Sequence, residues 1–126
     1  MGLLDIFKGG NKEKAEKQQF PWIPLTSIEE LDAIKKKSNE KTQAIFKHST
    51  RCGISSMVIR QLESEYDLDT NADMYYLDLL NHRPISLAIA EKFGVEHQSP
   101  QLIVLKNEKV IYHNSHHSIS AKEIVG

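Results

Sequence analysis

From Phe20 onward the sequence alternates between short apolar runs of strand length and longer stretches with helical spacing, then breaks that alternation with two consecutive strand runs. Few architectures accommodate both features. The first strand candidate is Pro21-Trp22-Ile23-Pro24-Leu25, whose two prolines confine it to a sheet edge because a central strand needs every backbone N–H. Ser27 and Glu30 stand at capping-box spacing, and Ile28, Leu31 and Ile34 repeat at helical intervals, so a helix is predicted up to the polar run at 35–39. Thr42–His48 reads as a strand. After the turn Ser49-Thr50-Arg51-Cys52-Gly53, a second helix is predicted with Ile54, Met57, Val58, Leu62 and Tyr66 on its apolar face. Residues 74–80 form a strand suited to a sheet interior. Pro84 fits the first turn of a third helix carrying Ile85, Ala88, Ile89 and Phe93, and Gly94 is a natural stop. Residues 102–105 and 110–112 flank Lys106-Asn107-Glu108-Lys109 as a β-hairpin, and Ser120 with Glu123 has capping-box spacing for a last short helix. The order β-α-β-α-β-α-β-β-α predicts an α/β fold, a mixed sheet with helices on both faces.

A chain of 126 residues has room for one such domain. We expect it to occupy residues 20–126, with the polar stretch up to residue 19 as a flexible N-terminal tail. Leu3, Leu4, Ile6 and Phe7 make at most one turn of apolar surface, too little for a firm membrane anchor. Sixteen basic against seventeen acidic residues leave no cationic excess for a phosphate backbone, so nucleic acid is not the expected partner. No apolar run approaches the ~20 residues of a membrane-spanning helix, and none has the h-region of a secretory signal. The expected location is the cytoplasm, without stable membrane insertion.

Cys52 is the single cysteine, so no disulfide can form within the chain. A cysteine between a strand and an amphipathic helix sits where the first-turn N–H groups and the helix dipole favour a thiolate, and Arg51 adds a cation of the same sense. The other fate of a lone cysteine is inert burial, which the polar residues around Cys52 disfavour. Ser55 stands where a dithiol oxidoreductase carries its second cysteine. Any mixed disulfide on Cys52 must then be resolved by an outside thiol. Ser55 either donates a hydrogen bond to the sulfur or is an ordinary first-turn serine. Pro100 opens the hairpin strand, and local sequence alone favours a trans bond before it. His113, His116 and His117 lie close in sequence, but adjacent His116 and His117 point differently and the pairing of a structural metal site is missing, so no metal is expected. Neither a Gly-rich phosphate loop nor a dinucleotide fingerprint occurs, and no tightly bound cofactor is expected.

Three segments carry a family resemblance: residues 47–55 (Lys-His-Ser-Thr-Arg-Cys-Gly-Ile-Ser), residues 99–107 (Ser-Pro-Gln-Leu-Ile-Val-Leu-Lys-Asn) and, more weakly, His113-Asn114-Ser115-His116. Over residues 42–125 the chain resembles the monothiol bacilliredoxins, which have the thioredoxin fold. Phe93-Gly94-Val95 is also similar to the stretch leading to the cis-proline of thioredoxins. The resemblance implies thiol-disulfide exchange, with Cys52 attacking the mixed disulfide between a client protein and the low-molecular-weight thiol bacillithiol. S-thiolated clients are then the partners and bacillithiol the co-substrate. It further implies a cis Ser99-Pro100 bond shaping the substrate groove, with Arg51, Gly53 and Ser55 around the sulfur. Loop residues His116 and His117 are the expected clamp for the acidic end of the small thiol, the alternative being that both face solvent. One departure stands out. The family usually has proline after the cysteine, whereas Cys52-Gly53-Ile54-Ser55 is also similar to the Cys-Gly-Phe-Ser signature of monothiol glutaredoxins that carry a [2Fe-2S] cluster with glutathione. The Gly-Gly-x-Asp loop of those proteins is absent. A third reading is a thioredoxin-fold binding module with an inert cysteine.

Overall fold

The computed structural model describes residues 20–125, so the proposed tail lies outside the described residues. Eight regular elements follow in order: β1 (Trp22–Pro24), α1 (Glu30–Lys37), β2 (Thr42–His48), α2 (Gly53–Glu65), β3 (Ala72–Asp78), α3 (Arg83–Phe93), β4 (Gln101–Lys106) and β5 (Lys109–Ser115). Two short 3-10 turns, His116–Ser118 and Ala121–Glu123, close the described chain. The sheet order is β1-β3-β2-β4-β5. β2 runs parallel to β3, which is parallel to β1, and antiparallel to β4, which pairs antiparallel with β5. The Pro-flanked segment is an edge strand, as its missing donors require.

Side-chain alternation in the central strands divides the core in two. On one face Ile45, Tyr75, Leu77, Ile103 and Leu105 pack with Leu31 and Ile34 of α1 and Ile85 and Ile89 of α3. On the other, Ala44, Phe46, Met74, Leu102 and Val104 pack with Val58, Ile59 and Leu62 of α2 and with Ala121 and Ile124. β2 is buried along its whole length, since it has neighbours on both edges and helices on both faces.

Local signals act much as expected at the helix ends. Glu30 Oε1 accepts the N–H groups of Thr26 at 2.8 Å and Ser27 at 3.0 Å, the carboxylate half of a capping box. Pro84 lies in the first turn of α3, and Gly94 ends it at φ 67°, a left-handed conformation in which other residues are strained. The hairpin turns through Asn107 and Glu108, both at positive φ, as a two-residue type I′ connection demands.

Three expectations need correction. β3 starts two residues earlier and stops at Asp78, because Asp78 turns the chain: its carboxylate accepts Leu80 N–H at 3.2 Å, and its carbonyl accepts the N–H groups of Asn81 and His82. The last helix is only a 3-10 turn, in which Ser120 Oγ accepts Lys122 N–H at 3.3 Å and Ile124 N–H bonds back to Ala121. On α2, Ile54 and Met57 are 42% and 55% exposed, and the inward face is Ser55, Val58, Ile59 and Leu62. Val58, Leu62 and Tyr66 are buried as expected, but in the first turn a polar residue, Ser55, fills the interior position.

Candidate active site

Every component of the site follows from where the strands end. β2 stops at His48, the chain makes one turn, and Cys52 becomes the N-cap of α2 with extended backbone angles of φ −102° and ψ 122°. Two backbone bonds hold that turn: Cys52 N–H donates to Ser49 O at 3.1 Å, and Ser56 N–H donates to Cys52 O at 3.1 Å. The sulfur residue is half-buried, and its neighbours Arg51 and Gly53 are exposed. By helix geometry the N–H groups of Gly53, Ile54 and Ser55 have no acceptor within the helix, so the end beside Cys52 carries partial positive charge. An added Cβ at Gly53 meets nothing within 4 Å, so packing does not require glycine there.

Ser55 is fully buried and committed elsewhere than the sulfur. Its hydroxyl accepts Ser49 N–H at 3.0 Å and lies 2.8 Å from His48 Nδ1. With Nδ1 unprotonated, the hydroxyl proton goes to that nitrogen. Ser55 thus ties the first turn of α2 to the end of β2 and fixes the loop that presents Cys52. His48 is 7% exposed, with its ring against Phe46 and Tyr76. Burial lowers its pKa below the ordinary histidine value, opposed in part by the charges of Asp78 and Glu63.

The register of β2 with β4 places Lys47 opposite Gln101, so Pro100 comes next to the end of β2. The Ser99-Pro100 bond is cis, as the resemblance implied and against the local expectation. Pro100 is buried, and its carbonyl accepts His116 N–H at 3.0 Å, joining the end of β5 to the same region. Ser99 Oγ and Gln101 Oε1 are buried without a hydrogen-bond partner. His116, at φ 54°, and His117 are exposed in the 3-10 turn that packs against α2. The structure therefore brings Cys52, Gly53, Ser55, Ser99, Pro100 and the His116 backbone to one end of the sheet.

On the opposite side of β2, Leu79 N–H donates to His48 O at 2.9 Å and brings the loop after β3 beside the cysteine turn. Between the two loops is an open cleft of about 450 Å³ lined by Thr50, Arg51, Leu80 and Asn81. Sequence reading gave Leu80 and Asn81 no part in a site, since only the pairing of β2 with β3 makes them neighbours of Arg51. It also passed over Lys47, which is fully buried. Lys47 Nζ lies 3.3 Å from Ser86 O and 3.2 Å from His97 Nδ1, and burial pushes its pKa down to about 8. The available signal was its position in an all-buried strand with parity opposite to Ala44 and Phe46. Among the described residues, no group of three or more His, Cys, Asp or Glu side chains is placed to hold a metal ion.

A five-stranded mixed sheet between helices, a cysteine capping the helix after the central strand, and a cis-proline opening the adjacent strand together define a thioredoxin-fold protein with a one-cysteine site. A structure described as a candidate oxidoreductase with a thioredoxin fold matches at TM-score 0.71 and 30% identity, over 81% of this chain and 88% of that one. The chain belongs to the monothiol bacilliredoxin BrxC family, whose model matches residues 23–124. Thioredoxins from Trypanosoma brucei brucei (TM-score 0.60, 20% identity, 83% of this chain and 84% of that one) and Schistosoma mansoni (0.58, 16%, 82% and 88%) share the fold. Family and fold support a redox function. No helix among the described residues is long and apolar enough to cross a membrane.

Proposed function

We propose that the protein removes a low-molecular-weight thiol, bacillithiol in the family's chemistry, from client proteins that carry it as a mixed disulfide. The Cys52 thiolate attacks the sulfur of the small thiol. The bond between that sulfur and the client breaks, a new disulfide forms on Cys52, and the client leaves as a thiolate that takes a proton from water. The number of disulfides is unchanged, and a second, external thiol must reduce Cys52 to complete the cycle. No bound cofactor is needed, and the reaction suits the cytoplasm, where thiols are kept reduced.

The observation that carries this reading is the pairing of a half-buried Cys52 at the N-cap with Ser55 at the position of a second thiol, its hydroxyl already engaged by His48 and Ser49. Such a site can accept one thiol and cannot close its own disulfide. Intact-mass spectrometry of the protein mixed with a singly bacillithiolated client tests it. The expected result is one small-thiol adduct on Cys52 and a free client thiol, both absent in Cys52→Ser. A client that stays modified in the presence of the wild-type chain overturns it.

A further inference from the structure

The turn that carries Cys52 lies between two different surfaces, and a transfer reaction has two different groups to accommodate. On one side are Pro100 and the backbone of His116. On the other is the cleft between the β2–α2 loop and the β3–α3 loop, whose volume of about 450 Å³ falls in the range of small-molecule sites. Its walls differ in chemistry. Arg51 brings a guanidinium, Thr50 a hydroxyl, Asn81 an amide, and Leu80, 39% exposed, an apolar patch. Among the described residues no carboxylate pairs with Arg51. Asp78, the acid at the base of the β3–α3 loop, has its oxygens occupied, Oδ1 by Leu80 N–H at 3.2 Å and Oδ2 by Asn81 Nδ2 at 2.7 Å. That contact fixes the Asn81 side chain while leaving its carbonyl oxygen and a second N–H available.

We propose that this cleft holds the anionic end of the small thiol, with Arg51 and Asn81 binding a carboxylate remote from the sulfur while that sulfur meets Cys52. The proposal rests on the transfer reaction given above and adds where its small substrate lies. Arg51 lines the cleft and directly precedes Cys52, so on this proposal the remaining atoms of a molecule bonded to the sulfur extend toward the guanidinium, whose planar fork suits a carboxylate. The exposed Leu80 offers contact to the uncharged middle of the ligand. The Pro100 side is left for the client chain, which resolves the steric problem of presenting both halves of one disulfide to a single sulfur. This replaces the clamp expected at His116 and His117, which lie across β2 from the cleft.

The test uses one client protein modified on one cysteine with either bacillithiol, which is anionic, or 2-mercaptoethanol, which is neutral. Rate constants for transfer to Cys52 are measured for both, and their ratio isolates recognition of the small thiol from changes in sulfur reactivity or client binding. In Arg51→Gln and in Asn81→Asp the anionic-to-neutral ratio is expected to fall about tenfold, the size of one charge-assisted contact. In His116→Ala/His117→Ala the ratio stays at the wild-type value. A ratio unchanged in both cleft variants, with wild-type transfer intact, overturns the cleft and leaves the transfer reaction standing. A fall confined to the histidine variant overturns it as well, placing the carboxylate on the other side. Absence of transfer by the wild-type chain removes the reaction itself.

Discussion

Lys47 is the side chain whose chemistry fits its place least, a cation fully buried in the central strand with Ser86 O and His97 Nδ1 as its nitrogen's hydrogen-bond partners among the described residues. Its pKa of about 8, against an ordinary 10.5, means that below pH 8 the fold bears a desolvated charge that the unfolded chain solvates freely. Between those two values the unfolded chain binds more protons than the folded one, so this contribution makes stability rise with pH. Lys47→Met, which fills similar space without the charge, is expected to raise unfolding free energy near neutral pH by about 2 kcal/mol. That advantage should shrink as pH climbs from 8 toward 10.5. Parallel denaturant titrations of the two proteins across that range check it, and an advantage independent of pH would contradict the buried-charge argument. The roles of neighbouring residues were unequally legible. Cys52 announced itself by being single and standing between a strand and a helix. The engagement of Ser55 with His48 was hidden, because seven residues of sequence separation give no hint that a strand end and a helical turn share a hydrogen bond.

At the scale of elements, α2 shows how a sequence pattern can be right in kind and off at one end: Val58, Leu62 and Tyr66 are buried as expected, and the first turn is not. Apolar spacing identified a helix, yet it took Ile54 and Met57 for core residues. In the folded chain Val58, Ile59 and Leu62 set the inward face, and Ser55 extends it by one turn toward the site. The pattern counted hydrophobicity and could not know that a serine would be satisfied inside by Ser49 and His48. The two faces should differ sharply in energy. Leu62→Ala, at 2% exposure, is expected to cost about 2 to 5 kcal/mol through lost burial and a cavity, whereas Met57→Ala should stay within about 0.5 kcal/mol. Chemical denaturation of the two variants checks this, and comparable losses would restore the expected face. Strands were legible in proportion to how much of their pairing was local. β2 was read to the residue from its composition, and the β4–β5 hairpin from its turn, whereas the end of β3 depends on the backbone bonds made by Asp78.

For the whole molecule, the sheet separates two cores, and on each side of it stands a histidine whose pKa is lowered. His48 lies on the α2 side, where burial is the main cause. His97 lies on the α3 side, where burial acts first and the charges of Lys47 and Arg83 add to it. Both stay neutral in the fold below the ordinary value of 6.5, so as pH falls the unfolded chain gains protons first and stability is lost. Two carboxylates with lowered pKa titrate further down. They are Asp32, bonded to Lys92, and Asp73, where burial is outweighed by bonds from Gln43 and Lys41. The loss beginning near pH 6.5 therefore belongs to the histidines. Denaturation midpoints followed through the fluorescence of Trp22, which packs against Phe20, Phe46 and Tyr76, should decline from about pH 6.5 downward. A flat midpoint to about pH 4 would show that both rings protonate freely in the fold. The mixed sheet and its helices were readable from the alternation alone, while the cleft beside Arg51 belongs to tertiary structure and to no segment. The far end of the sheet has its own consequence. There Ser38 holds the hairpin tip, its carbonyl accepting Asn107 N–H and its hydroxyl accepting Glu108 N–H, both at 2.8 Å, while Asn39 binds Glu108. A surface-coupling tag grafted at that tip would stand a full strand length, about 23 Å, from the last residue of β2. The molecule could then be immobilised by its closed pole while the sulfur faced the solution, an orientation that leaves Cys52 open to disulfides supplied in the surrounding liquid.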